Sequence, residues 1–199
     1  MAIHPPLILA SSSPRRLALL RQAGIEPARV ETPQVDETVL PREQPRAHAL
    51  RLAHAKNAAV ATRLEGGPGA QPYVVAADTV VACGRRILPK TTEEADAARC
   101  LGLLSGRRHR VYTAVVVSGP GGCAARVAVT MVHFKRLHAD ELARYLASGE
   151  WRGKAGGYAI QGRAEAFVSA VNGSYSNVVG LPLAVTLDLL YGLGWRAPR

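Results

Sequence analysis

The sequence predicts an α/β fold built on a mixed sheet with helices packed against it. Three observations carry this: an almost unbroken apolar, β-prone run at residues 73–83, helical runs before and after it, and strands and helices mixed without strict βα alternation. At 199 residues the chain is long enough for a real core, and 48% hydrophobic with 20% charged residues excludes a disordered, collagen-like or coiled-coil chain. No internal repeat or low-complexity linker marks a domain boundary.

Residues 7–10 (Leu-Ile-Leu-Ala) read as a short buried strand, and a helical run at 17–23 follows, stopped by Gly24. Ser13 is a natural N-cap for that helix and Pro14 sits at the favoured first position. Residues 30–32 form a weak strand. Residues 45–64 form a long Ala-rich helix, ended by a Gly-Gly-Pro-Gly loop at 66–69. The run 73–83 then suits a central strand buried on both faces. Thr91 and Glu94 have capping-box spacing and open a helix to about Leu104. Runs 110–118 and 125–134 are strands joined by Gly119-Pro120-Gly121-Gly122, a hairpin with a longer loop. A short helix at 140–147, a strand at 166–171 and a closing helix at 182–191 complete the chain.

The formal charge is +10, from 25 Lys and Arg against 15 Asp and Glu. Only four of the cations are lysine: Lys56, Lys90, Lys135 and Lys154. The arginines are scattered, with no block of like charge, so the excess is equally a compositional bias. A basic nucleic-acid-binding module is the competing reading, but aromatics make up only 5% and are not interleaved with the basic residues as stacking platforms. Stable nucleic-acid binding is therefore not expected. Cys83, Cys100 and Cys123 are widely spaced without a CxxC pair, which indicates neither a disulfide framework nor a zinc site. With no signal-peptide core and no run of 18 apolar residues, a soluble, cytoplasmic protein that does not engage a membrane is expected.

Four features bear on chemistry. Ser11, Ser13, Arg15 and Arg16 stand at a strand-to-helix turn, which is either an ordinary capped helix or an anion site with phosphate as the obvious ligand. Asp78 interrupts an apolar strand. An isolated buried carboxylate there is costly, so Asp78 must be paired, metal-bound or at the strand's exposed end. Lys56, Lys90 and Glu37 form a third set, in which Glu37 with Asp36 offers carboxylates for a hard divalent cation held jointly with Asp78. Finally, the glycine-dense stretch from Lys154 to Gly162 permits close approach of backbone to a ligand. It carries Gln161, whose amide can read a nucleobase edge with a donor and an acceptor together.

Taken in order, these segments resemble the Maf family of nucleoside triphosphate pyrophosphatases over nearly the whole chain. The motifs are Ser11-Ser12-Ser13-Pro14-Arg15-Arg16, Val35-Asp36-Glu37, Leu52-Ala53 to Lys56, Ala77-Asp78-Thr79, Ile87 to Lys90, Leu104-Ser105-Gly106 to Thr113, Lys154 to Gly162, and Gly173-Ser174-Tyr175 to Pro182. Pro-Arg-Arg, Asp-Thr and Ile-Gln-Gly are similar to the branch that acts on dTTP and UTP. The resemblance implies one domain over residues 1–199, two lobes around a cleft, with a twisted mixed sheet of the Maf and inosine triphosphatase type. It implies that Asp78 accepts a proton from water or shares a divalent metal, Mg²⁺ or Mn²⁺, with Glu37. Ser11, Arg16, Lys56 and Lys90 would hold the triphosphate, with Ser13 and Lys154 beside them, and Arg15, Thr79 and Gln161 would set base choice. A homodimer is also implied. The chain departs from the family pattern at Pro89 and Thr91 around Lys90, at Gly153, where an Asp is common, and at Ala159, where a Gly is common.

Overall fold

The computed structural model describes residues 5–64 and 71–197, so the glycine-rich loop expected at 66–69 lies outside the described residues. The strands are β1 (Leu7–Ala10), β2 (Arg29–Glu31), β3 (Tyr73–Cys83), β4 (Arg86–Leu88), β5 (Arg108–Gly119), β6 (Gly122–Phe134) and β7 (Val168–Asn172). The helices are α1 (Pro14–Gln22), α2 (Pro45–Leu64), α3 (Glu94–Leu104), α4 (Ala139–Ala147), α5 (Tyr175–Val179) and α6 (Leu183–Gly192), with a 3₁₀ turn at Arg163–Phe167. All seven strands join one sheet in the order β2-β1-β3-β5-β6-β7, with β4 added beside β3. β2, β1 and β3 run parallel, and every other pairing is antiparallel. The mixed α/β architecture read from the sequence is the one observed.

β3 sits at the centre because both of its faces find apolar cover. Val74, Ala76 and Val80 face α2, whose small Ala49 and Ala53 let the helix lie close on the sheet. Val75, Ala77 and Val81 face the opposite side, where two larger clusters form around Leu20, Leu181 and Trp195 and around Leu101, Phe134 and Trp151. Each fully buried side chain of this size contributes about 1.5–3 kcal/mol.

One edge of β3 is only partly covered. β1 pairs with residues 73–76, and β4 pairs with residues 81–83 on the same edge, since β5 takes the other. Among the described residues, 77–80 therefore have no strand partner on that side. The opening lies beyond the carboxyl end of β1, the position where open α/β sheets receive ligands.

Several local expectations need correction. Thr91 does not cap α3: Glu93 occupies the N-cap position, and the Thr91 hydroxyl is fully buried and donates to the Trp151 carbonyl at 2.8 Å. Ser13 does occupy the N-cap position of α1, but its side chain makes no capping bond. The β5–β6 hairpin is tighter than expected, because Gly119 pairs with Gly122 and leaves only Pro120 and Gly121 in the turn. Strand β7 begins at Val168, since the 3₁₀ turn takes residues 163–167. β4 and α5 have no counterpart in the sequence reading, being three and five residues long.

Candidate active site

The gap in the sheet opens into a cavity of about 300 Å³. All eleven candidate residues line it: Ser11, Ser13, Arg15, Arg16, Glu37, Lys56, Asp78, Thr79, Lys90, Lys154 and Gln161. Asp36, offered alongside Glu37, does not: it accepts the Thr38 N–H in a local turn and stays exposed. Tyr158, within the glycine-dense stretch singled out in the sequence, also lines the cavity, as does Arg152, which the sequence reading missed. Arg152 stacks over the buried Trp151 ring at 4.5 Å, a signal available in sequence only as two adjacent letters.

Asp78 and Lys56 form the buried centre. Asp78 is 3% exposed on β3, on the face that α2 covers, and the Lys56 ammonium reaches its carboxylate at 2.5 Å. Of the options open in the sequence, the structure shows Asp78 paired. The same ammonium lies 2.6 Å from Glu37, and Lys90 reaches the other Glu37 oxygen from the opposite side. Burial alone pushes the Glu37 carboxyl up, but hydrogen bonds from Lys56 and Lys90 outweigh it and hold it down at about 2.

Thr79, the next residue, points to the other face of the sheet. There it meets Arg16, whose guanidinium is fixed by three bonds: Nε to the Gly180 carbonyl at 2.8 Å, Nη1 to Ser11 Oγ at 3.2 Å, and Nη2 to Thr79 Oγ1 at 3.1 Å. Two of its five N–H groups are left for a ligand. Burial lowers the Arg16 pKa, opposed by the nearby Asp78 charge. Thr79 Oγ1 also bonds Thr113 Oγ1 at 3.1 Å, so its hydroxyl is engaged within the protein. Gly180 has φ of +132°, a backbone conformation that L side chains rarely adopt, which explains glycine where the carbonyl turns to accept from Arg16. The Ser11 hydroxyl accepts from Arg16 and from the Ser13 N–H, which leaves its own hydrogen free to donate to a ligand in the cavity it lines.

Lys90 and Lys154 are brought together by pairing of their two loops. The Thr91 N–H donates to Lys154 O, Gly153 N–H to Thr91 O, and Gly156 N–H to Pro89 O, at 2.8–3.1 Å. The unusual Thr91 and Gly153 thus contact each other directly. The glycine density here has a packing cause: Gly156 has φ of +69°, and a Cβ would lie 2.9 Å from Val81 Cγ1. Burial, then the nearby Arg15 charge, lowers the Lys154 pKa, and burial lowers that of Arg15.

Six cations (Arg15, Arg16, Lys56, Lys90, Arg152, Lys154) and two carboxylates therefore share the lining. That surplus suits a polyphosphate. No group of three or more His, Cys, Asp or Glu side chains suited to a metal occurs among the described residues. Glu37 and Asp78 do fit a hard divalent cation that takes one or two carboxylates and completes its shell with phosphate oxygens and water, because one small cation, the Lys56 ammonium, already bridges them.

A family model described as Maf-like protein matches residues 6–193. A dTTP/UTP pyrophosphatase of Caulobacter vibrioides is 56% identical over 197 residues, 98% of this chain and 100% of that protein. One from Paramagnetospirillum magneticum is 58% identical over 190 residues, 95% of this chain and 97% of that protein. Among solved structures, the Staphylococcus aureus Ham1 protein aligns with a TM-score of 0.44 at 16% identity, covering 64% of this chain and 71% of that chain.

Proposed function

The chain belongs to the Maf family, and on that premise we propose that it hydrolyses dTTP and UTP to the nucleoside monophosphate and pyrophosphate. The observation that carries the reading is a cationic cavity with a buried, lysine-paired Asp78 at its floor. Water attacks the α-phosphorus, the new oxygen–phosphorus bond forms as the α–β bridging bond breaks, and the electron pair leaves on pyrophosphate. Asp78 takes the proton of the attacking water. Lys56, 2.5 Å away, orients that carboxylate, in the geometry a general base requires.

Charge developing on the bridging and terminal oxygens is met by Lys90, Lys154 and the two free N–H groups of Arg16, whose guanidinium is already held by Gly180, Ser11 and Thr79 before the substrate arrives. A divalent cation, held by Glu37 and Asp78, would neutralise phosphate charge and orient the triphosphate. The half-buried Arg15 and the exposed Gln161 contact the base, and Thr79 acts on base choice by holding Arg16. The protein works as a single domain and as a cytoplasmic homodimer in this reading. The free thiols of Cys83, Cys100 and Cys123 are compatible with a reducing compartment, and no helix among the described residues is long and apolar enough to cross a membrane.

The test is a panel of canonical and modified triphosphates with Mg²⁺ or Mn²⁺ and product identification. Pyrophosphate from dTTP and UTP is expected, whereas orthophosphate as first product would sink the assignment. A modified pyrimidine remains within reach of the same cavity, because one methyl on the ring is worth only about 1–3 kcal/mol of discrimination.

A further inference from the structure

Outside the cavity lining lies a second cluster of charged side chains, built around the carboxylate of Glu43. That side chain is only 8% exposed. Its Oε1 accepts from Arg51 Nε at 2.7 Å, and its Oε2 accepts from Arg51 Nη2 at 2.8 Å, His48 Nδ1 at 2.8 Å and the Leu40 N–H at 3.0 Å. The carboxylate can only accept, so His48 presents Nδ1 as a donor. Arg51 also donates to the Thr38 carbonyl at 2.9 Å, one residue from Glu37.

The placement follows from helix geometry. His48, Leu52 and Lys56 are spaced by four and share one face of α2, with Arg51 beside them. The segment from Glu37 to Glu43 runs back along that face, with Glu37 meeting Lys56 at one end and Glu43 meeting His48 and Arg51 at the other. The segment has no helix or strand of its own to hold it. It also contains the one non-glycine residue with positive φ among the described residues, Arg42 at +60°. Arg42 follows Pro41 in a turn closed by the Glu43 N–H on Leu40 O at 3.0 Å. A bulky residue stays in that conformation only where its surroundings over-determine it.

We infer that Glu43, His48 and Arg51 form a positioning clamp that sets Glu37 against Lys56 and Lys90, so that the reach of the Glu37 carboxylate into the cavity is decided some six residues away. The inference rests on the proposed hydrolysis and adds positioning residues to it. Glu43 and Arg51 touch nothing in the cavity. They act by shortening the set of conformations open to the 37–43 segment.

Two measurements test it. Pyrophosphate release from dTTP is compared for wild type, Glu43→Gln, Glu37→Gln and the double variant. Loosening the clamp is expected to cost about 10- to 100-fold in kcat/KM, as for outer residues that orient a ligating side chain. That loss is expected to shrink to under about 2-fold when Glu37 is already Gln, because the clamp then has nothing left to position. Equal losses in both backgrounds would overturn the inference, since a merely structural role is additive. Amide hydrogen exchange, read without substrate, is expected to quicken in peptides spanning residues 36–43 of Glu43→Gln while α6 stays protected, and unchanged exchange there would also overturn it. Arg51→Lys, which keeps one ion pair but releases Thr38, is expected to fall between wild type and Glu43→Gln in both readouts. A wild-type protein that releases no pyrophosphate would count against the proposed function, with the exchange measurement still deciding the clamp.

Discussion

Replacing Lys56 by methionine removes the cation within ion-pair distance of both cavity carboxylates while keeping nearly the same volume. Glu37 is half-exposed and keeps Lys90, so its loss is that of a surface pair, about 0–1 kcal/mol. Asp78 is different: at 3% exposure it is left as a buried charge without its partner. Breaking a buried pair from one side costs about 3–5 kcal/mol. For a chain of this size that lowers Tm by about 6–20 °C. Urea unfolding at neutral pH measures the free energy directly, provided the slope with denaturant is unchanged. The companion variant Lys56→Met/Asp78→Asn removes the orphaned charge and is expected to recover at least about half of the lost stability, with no recovery of activity. A single variant within about 1 kcal/mol of wild type would refute the reasoning, because the pair would then behave as a solvated one.

Asp78→Asn is expected to slow pyrophosphate release by about 100- to 10,000-fold, the range for loss of a general base, and full activity would remove Asp78 from the chemistry. Arg16→Lys cannot reproduce bonds to Gly180, Ser11 and Thr79 together, so a loss of about 2–3 kcal/mol in urea unfolding is expected despite the conserved charge. Stability should fall on the acid side in two steps. Burial, then the nearby His133, lowers the His109 pKa from 6.5 to about 4, so the folded state binds fewer protons than the unfolded chain in that interval, and stability present above pH 6.5 is lost as pH falls through it. Glu37 and Glu43, each lowered from 4.5 to about 2 by hydrogen bonds from neighbouring cations, add a second loss below pH 4.5. The unfolding curve of His109→Gln against pH should lack the first step, and that of Glu37→Gln should show a smaller second one, with the Glu43 share remaining.

The sheet was legible because β3 is an almost unbroken apolar run, and the one charge within it, Asp78, marked the site by its cost. Lys56 was harder to read: a lysine on an Ala-rich helix is usually solvated, and only the approach of α2 to β3 buries it against Asp78. The opposite-face arrangement of Asp78 and Thr79 follows from strand alternation, but that both reach one cavity depends on where β1 stops and β4 begins, and β4 is three residues long. Thr91 misled because capping-box spacing is a local signal, and a tertiary bond to Trp151 displaced it. The Glu43 clamp left no trace in the sequence, since Glu43, His48 and Arg51 converge only when an irregular segment folds back on a helix.

The most direct measurement is hydrolysis of dTTP in ¹⁸O-labelled water with mass analysis of both products. One ¹⁸O in dTMP and unlabelled pyrophosphate are expected, since water attacks the α-phosphorus. Label in the pyrophosphate, or labelled orthophosphate as the first product, would contradict attack at that centre and with it the assignment of the cavity.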